Sequence, residues 1–547
     1  MKTMKFTMII ALLYSVIICG CSKTSHHALP QLVAVPQNAA VVLSINAKQI
    51  IEKAGLNKME QYKFHSLIIK EIENEPANEA KIMKDFLNDT RTSGLNLDNV
   101  FAYLSSNDSD IYYGITIKID NLEKFEKFLK ETGVDAEIGN KQIDLPDGHT
   151  IRWNDEILVI SINAVENGID IFNKDESKSI LANELFKSEY SDKNDAYLYG
   201  EYNTLISLVE KIPDYVMDNT ATLSNLVMYK DMSMSVNMNA EKGEFVVQGK
   251  MLPADKAAEL SGKVYKADFN DNLYKYFPDK SLVALKFAIK PLDAYNYYKQ
   301  NLGIGQTDEN TETTTEKVET LDEDGNVIEE EDVVIDKYSG YTSNYNRTLK
   351  MMIEQYDEQI ISVLESFTGD FIGNLSGFNE YAKPEFSLAT GIVEGKENNI
   401  IELIEKAGFV KNSDDYYSQD INNMTYYVAV NKNAAYLTVT PEAIAKFLDK
   451  GYDSNISSAK GVDIKNALNS FYLNLNINDY PQMLRFFIEM SNEGRMLLPL
   501  LEKLKSINAT ASNTYDFEFK LKFTDNDYAS KILLKGIDEL ISQSIDE

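Results

Sequence analysis

The chain repeats itself, and the repeat limits every fold it can adopt. Pro36-Gln-Asn-Ala-Ala-Val-Val-Leu-Ser-Ile and Pro278-Asp-Lys-Ser-Leu-Val-Ala-Leu-Lys-Phe each give a proline, a polar turn and a short β-prone run. Gly114 in IYYGITIKIDNLEKFEKFLKETG aligns with Gly391 in FSLATGIVEGKENNIIELIEKAGF at an offset of 277. The same offset relates Asn154 in RWNDEILVIS to Asn431 in AVNKNAAYLTVT, and an offset of 275 relates Tyr197 in AYLYGEYN to Tyr472 in FYLNLNIN. FVVQGKML at 245–252 and FEFKLKFT at 517–524 make the last pair. Only the opening pair departs, with an offset of 242. About 35 residues therefore enter the second half after its opening strand, in the segment 305–344. One gap with the register kept on both sides indicates a tandem duplication followed by one insertion.

Both halves read alike. Opening strands at 41–46 and 282–288 lead into helical spacing. That spacing runs through Leu67, Ile68, Ile69, Ile72, Ile82 and Phe86 in one half. Leu349, Met352, Ile353, Tyr356, Ile360, Ile361 and Leu364 carry it in the other. Two strands follow, at 100–105 and 111–119 in the first half. Next come helices at 121–132 and 397–407, stopped by Gly133 and Gly408. A meander of short strands includes Thr425 to Val430 and Ala435 to Thr440, joined by an Asn-Lys-Asn turn. After a helix at 441–450 and a further strand and helix, two strands and a helix close each half, the helices at 253–264 and 525–544. Hairpins interspersed with helices predict the α+β class: two tandem homologous halves, 31–270 and 271–547, each a mainly antiparallel sheet with helices packed on one face.

The first 23 residues read MKTMKFTMIIALLYSVIICGCSK. Lys2 and Lys5 form a positive start, and Phe6 to Ile18 is an apolar run too short to span a bilayer. Ile18-Cys19-Gly20-Cys21 resembles the bacterial lipobox, which implies cleavage of a signal peptide at 1–20 and lipidation (diacylglyceryl and palmitate-type acyl groups) of Cys21. Residues 21–30 are then a lipidated tether. By resemblance to diderm lipoproteins, Ser22 in place of Asp implies sorting to the outer membrane. The absence of an acidic run after Cys21 favours a periplasm-facing body over a cell-surface one. The chain holds 2 cysteines, both in this segment, so the body has no thiol chemistry. Its formal net charge is −31, which disfavours nucleic acid and anionic surfaces as partners.

The order of elements resembles an uncharacterised Bacteroidetes lipoprotein family of similar length. The residues that carry the resemblance are Pro36 to Asn46, Gly94 to Leu104 and Gly114 to Leu129, with their second-half counterparts. These motifs bear on the fold and not on chemistry, so the resemblance implies no activity.

Candidates for chemistry are few. His26 and His27 lie in the tether, His65 in helical sequence and His149 in a turn. No His-x-x-x-His spacing, Gly-x-Ser-x-Gly elbow or phosphate-binding glycine loop occurs. In the acidic insertion, Asp322, Asp324, Gly325 and Glu331 fall at EF-hand positions 3, 5, 6 and 12, but Thr320 stands at position 1. A solvated acidic hairpin with Asp324-Gly325 at its tip, or a disordered loop, is the simpler reading. Trp153 reads as a half-buried sheet residue. The pairs Tyr112-Tyr113, Tyr297-Tyr298, Tyr416-Tyr417 and Tyr426-Tyr427 read as sheet packing, with ligand contact as the alternative. The run FFIEMSNEGRMLLPLLEKL at 486–504 reads as packing between the halves, or as an adaptable surface for a lipid or partner. The corresponding first-half stretch, around Val216 to Leu226, includes Met217.

No catalytic residue, cofactor or metal ligand is assigned; Cys21 is the one residue with a chemical role. The expected function is a non-catalytic, membrane-anchored envelope lipoprotein, a binding or scaffolding module for a protein, lipid or cell-wall partner. A carrier of an apolar ligand between the halves and a hydrolase using buried carboxylates are the alternatives. Cys21→Ala is expected to abolish incorporation of labelled palmitate and to move the protein from the membrane pellet to the soluble fraction. Retained label in that variant refutes the lipobox assignment.

Overall fold

A computed structural model describes residues 29–106, 111–131, 141–145, 148–162, 172, 176–212, 226–227, 229–301, 313–321, 327–336, 344–412, 415–465, 467–513 and 515–546. The first half contributes β1 (Ala39–Ile45), β2 (Leu95–Ser106), β3 (Ile111–Ile119), β4 (Gln142–Asp144), β5 (His149–Trp153), β6 (Ile157–Ile162), β7 (Ala196–Glu201), β8 (Ser233–Glu241) and β9 (Glu244–Leu252). The second contributes β10 (Val283–Ala288), β11 (Thr313–Leu321), β12 (Val327–Asp336), β13 (Phe367–Phe378), β14 (Pro384–Ile392), β15 (Val410–Lys411), β16 (Tyr416–Ile421), β17 (Met424–Val430), β18 (Ala434–Thr438), β19 (Asn469–Asn474), β20 (Leu504–Ala511) and β21 (Asp516–Phe523). Apart from the hairpin β11–β12, all of these join one antiparallel sheet of 19 strands.

Following the ladders from one edge gives β4-β5-β6-β3-β2-β1-β7-β8-β9. From the other edge the order is β15-β16-β17-β18-β14-β13-β10-β19-β20-β21. Apart from the extra edge strand β15, the two orders are the same. They meet where β9 pairs with β21. Each half therefore lacks a sheet of its own; the two expected sheets are one.

The Asx turns at Asn154 and Asn431 anchor a comparison of register. Each side chain accepts from the backbone two and three residues ahead. From there one ladder row runs Ser161, Gly114, Tyr103, Val42, Tyr199, Ser235, Lys250. The other runs Thr438, Ser387, Asn374, Ala284, Tyr472, Asn508, Lys520. Gly114 thus stands opposite Ser387 in the comparison, not Gly391, and Tyr472 matches Tyr199, not Tyr197. The two glycines look alike in sequence because each makes room for a close neighbour. A Cβ at Gly114 would lie 2.4 Å from the Tyr103 hydroxyl, and one at Gly391 would lie 2.1 Å from Thr368 Oγ1. Gln248 and Glu518, each two residues before the ends of these rows, hold equivalent places and face each other across the junction, with Gln248 Nε2 donating to Glu518 at 2.7 Å.

Helices Ala47–Ala54, Leu122–Glu131 and Glu397–Lys406 lie on one face of the sheet. The first two bury Ile51 and Phe125 against Ile117, Trp153 and Leu158. The expectation of helices on one face is completed by a second layer. Short segments cover the opposite face: Pro30–Ala34 and Glu184–Glu189 over Val42, Phe101 and Tyr199, and Pro441–Leu448 over Tyr436. Phe447 stacks on Tyr436 with ring centroids 4.9 Å apart. In the insertion, β11 and β12 pair from Thr313–Asp336 to Leu321–Val327, so the arms of the acidic hairpin are longer than its sequence suggested.

Gly369 interrupts the β13–β14 ladder at a bulge, with φ at 86°. A Cβ there would lie 1.8 Å from the Ile289 carbonyl oxygen. Gly369→Ala is expected to cost about 2–4 kcal/mol, combining the positive φ with a backbone clash. A urea midpoint equal to that of the unaltered chain contradicts this.

Candidate functional site

Strand alternation sorts side chains onto two faces, and the faces of this sheet differ. One face carries a cross-strand row of Leu437, Leu388, Leu285, Phe471, Phe519 and Val247. Gly373 and Ala509 complete the row. Of the six larger side chains, Phe471 is exposed and the rest are half-buried. The same face holds Leu43, Leu198 and Met238 in the first half, also half-buried. Tyr113, Phe287, Phe471 and Phe517 are 39%, 43%, 38% and 41% exposed. From β3 to β18 the trough crosses thirteen strands, a length of about 60 Å at the spacing of a β-sheet. Its glycines let the lining lie flat. A Cβ at Gly249 would meet the Phe517 ring at 2.2 Å, and one at Gly373 would meet Leu388 at 2.8 Å.

The opposite face is covered, yet its buried positions are rich in hydroxyls and amides. Ser44, Ser105, Thr116, Ser161, Asn374, Ser387, Thr438 and Asn508 are all buried there. Some pair locally, as Ser387 Oγ does with Thr438 Oγ1 at 2.9 Å, whereas Thr116 Oγ1 and Ser161 Oγ are buried without a partner. The same face also buries an apolar core, with Val42, Phe101, Tyr199, Ile372 and Tyr436 among its side chains. Each 100 Å² of the open face taken from water is worth roughly 2.5 kcal/mol before the costs of association. A contiguous apolar face of this extent marks an interaction surface.

Buried charges on the covered face are engaged. Asp370 accepts from Lys266 Nζ at 2.7 and 2.8 Å, and Asp195 accepts from Lys53 Nζ at 2.8 Å. Lys286, 2% exposed, donates to the Tyr274 hydroxyl at 2.7 Å and to the carbonyls of Ile464 and Ala467. Its ammonium also lies 4.4 Å from the Phe269 ring centroid. Burial pulls the Lys286 pKa down to about 8, partly offset by Asp271 and Asp370. A groove of about 390 Å³ opens over the junction, lined by Ser235, Asn237, Gln248, Lys250, Asp516 and Glu518 among others. Two of its charges already have partners: Lys250 pairs with Glu189 at 2.6 Å and Glu518 accepts from Gln248.

The sequence-derived candidates do not converge. Cys21, His26 and His27 lie outside the described residues, as do Asp322, Asp324, Gly325, Val216 and Met217. Thr320 and Glu331 sit in β11 and β12, in a strand ladder and not at the ends of a loop between helices. His65 is half-buried in helix Lys63–Glu73. His149 meets the Tyr113 hydroxyl at 2.5 Å, a contact between β5 and β3 across the intervening β6. Trp153 is fully buried, not half-buried, with its ring edge-on to Phe125 at 5.7 Å. The 486–504 run packs between the halves only in part: Leu504 joins a cluster with Ala240 and Phe245, whereas Phe486 and Phe487 are exposed. Among the described residues, no three His, Cys, Asp or Glu gather for a metal, and no helix is long and apolar enough to cross a membrane. The trough itself was missed because alternation does not say which side of a strand is covered.

A model of a domain-of-unknown-function family, DUF4836, matches residues 33–530. The chain belongs to that family. The match runs from the segment before β1 into the last helix, so it takes in both strand orders and the trough. No curated protein matches the sequence. Among solved structures, crystal form III of TP0453 matches with a TM-score of 0.21 and 10% identity, over 44% of this chain and 88% of that chain. A score so low carries no argument.

The Lys286 geometry has a testable consequence. In the unfolded chain this amine holds its proton to about pH 10.5; in the native state it gives it up near 8. The native state then binds fewer protons in that interval, so stability from this group is full above about 10.5 and is lost as pH falls through about 8. Above pH 10 the sign reverses, because burial raises the pKa of Tyr103, Tyr197 and Tyr436 and keeps them protonated in the native state alone. The urea midpoint is expected to rise between about pH 7.5 and 9.5 and to fall above 10. Lys286→Met is expected to remove the rise; a variant that keeps it assigns the effect elsewhere.

Proposed function

We propose that the protein is a non-catalytic envelope lipoprotein, anchored to the outer membrane through Cys21 and facing the periplasm, that binds an apolar chain along the open sheet face. The observation that carries this reading is the run of accessible apolar side chains across the sheet. Leucine, phenylalanine and valine line this side, while the other buries its own apolar core together with serine, threonine and asparagine. An acyl chain or a comparable apolar segment suits a trough that is long, unbranched and without charge along its central row. The site differs from a carrier's cavity between the halves, because the halves are joined there by a continuous ladder. The lipobox and the resemblance to Bacteroidetes lipoproteins support the location. The two like strand orders support an origin by tandem duplication. For the hydrolase alternative, Asp195 and Asp370 offer little, each being buried against a lysine.

The test uses the mature chain in solution with a fluorescent fatty acid. Saturable binding displaced by oleate is expected. Leu285→Asp and Phe519→Asp, both at half-buried lining positions, are expected to weaken it at least tenfold, or about 1.4 kcal/mol, with circular dichroism unchanged. No saturable binding, or equal binding by both variants, rejects the proposal.

A further inference from the structure

Helix Gln482–Met490 is amphipathic with its apolar side outward. At about 100° per residue, Phe486, Met490, Met483, Phe487 and Leu484 fall on one arc, and Arg485 and Glu489 fall opposite. The polar arc faces the body. Arg485 donates to Glu489 at 2.9 Å, to Glu502 at 2.7 Å and to Asn478 at 3.1 Å. The apolar arc faces solvent: Met483, Leu484, Phe486, Phe487 and Met490 are 54%, 42%, 58%, 59% and 63% exposed. No residue of this helix is buried. Helix Asn492–Leu501 follows at a tight elbow, where a Cβ on Gly494 would lie 2.0 Å from the Ile488 carbonyl oxygen. It adds Leu497, 46% exposed.

The position of this arc says what covers it. Alternating ladders from β1 through β7, β8, β9, β21 and β20 make β19 run parallel to β1. The helix that follows β19 therefore leaves from the sheet end at which β1 finishes. The chain also enters at that end. Gln31 Nε2 donates to the Asn99 carbonyl at 3.0 Å, beside Val100, which pairs with Ile45 at the end of β1. Cys21 precedes Leu29, the first described residue, by eight positions, a reach of at most about 28 Å. The helices continue this surface: Gln482–Met490 packs on Asn492–Leu501, that on Ala529–Asp546, and that on Ala47–Ala54 just after β1. The arc holds no polar side chain that would specify a folded protein partner, whereas two phenylalanines and two methionines suit disordered acyl chains.

We infer that helix Gln482–Met490 lies in the interface of the bilayer that bears the Cys21 lipid, with its apolar arc among the acyl chains. This rests on the membrane-anchored reading above. It adds a second attachment, one that orients the body. β20, which lines the trough with Ile507, begins just after the helix pair, so a bilayer at this end of the sheet meets the trough.

The test removes the lipid anchor. The body from Ser22 to Glu547 is floated on a density gradient with vesicles of equal parts phosphatidylethanolamine and phosphatidylcholine, which carry no net charge to repel an acidic chain. The unaltered body is expected to float. Phe486→Asp with Phe487→Asp is expected to lower the floated fraction at least tenfold with circular dichroism unchanged. Val410→Asp, at the far sheet edge and 69% exposed, is expected to float fully. An unaltered body that stays at the bottom overturns the inference, as does a double variant that floats equally. Self-association abolished by the double variant, without flotation, overturns it in favour of a second copy. Fatty-acid binding is read without vesicles, so its loss with flotation retained rejects the trough reading alone.

Discussion

Seven residue pairs between Glu244–Lys250 and Asp516–Lys522 hold the molecule together as one sheet. Without them, β9 and β21 would be long open edges, each inviting pairing with another chain. With them, each half closes the other's edge, in an arrangement that places Gln248 against Glu518 as a two-fold axis would. The remaining edges are short: β4 has three residues and β15 two. Short edge strands protect a sheet from adding further strands.

That continuity is what makes the trough. A half alone offers part of an apolar face; joined, the two offer one surface from Tyr113 to Leu437. Helices Ala47–Ala54 and Leu122–Glu131 cover this side over Ile117, Trp153 and Leu158 and leave the row from Val247 to Leu437 half-buried or exposed. On the other face, Pro30–Ala34, Glu184–Glu189 and Pro441–Leu448 pack over a floor whose serines, threonines and asparagines need partners in place. The buried Lys286, tied to two carbonyls and Tyr274, belongs to the same floor. A face held by such contacts is costly to expose, whereas an aliphatic face accepts any apolar occupant.

Much of the local structure was legible. Helix 397–407 is observed as Glu397–Lys406, the strand at 111–119 as Ile111–Ile119, and the meander strands at Met424–Val430 and Ala434–Thr438. These come from periodicity and turn chemistry, which act over a few residues. The register between the halves was legible near the Asn154 and Asn431 turns and at the opening strands, where Val42 and Ala284 keep the offset of 242. Glycine positions misled by four residues, because Gly114 and Gly391 relieve different contacts. The run at 486–504 has the composition of a core, and composition does not separate a buried apolar arc from one turned outward.

The sequence by itself determined the kind and place of most elements and the division of each strand into an apolar and a polar set. Those follow from spacing along one chain. Only the tertiary structure decided which set meets solvent and how the halves join. A period of two is the same whichever face is covered, so Phe287 beside Lys286 in β10 reads as core beside surface, and the fold makes it the opposite. The β9–β21 ladder is made of backbone hydrogen bonds between residues some 270 positions apart, and backbone groups are alike in every residue but proline.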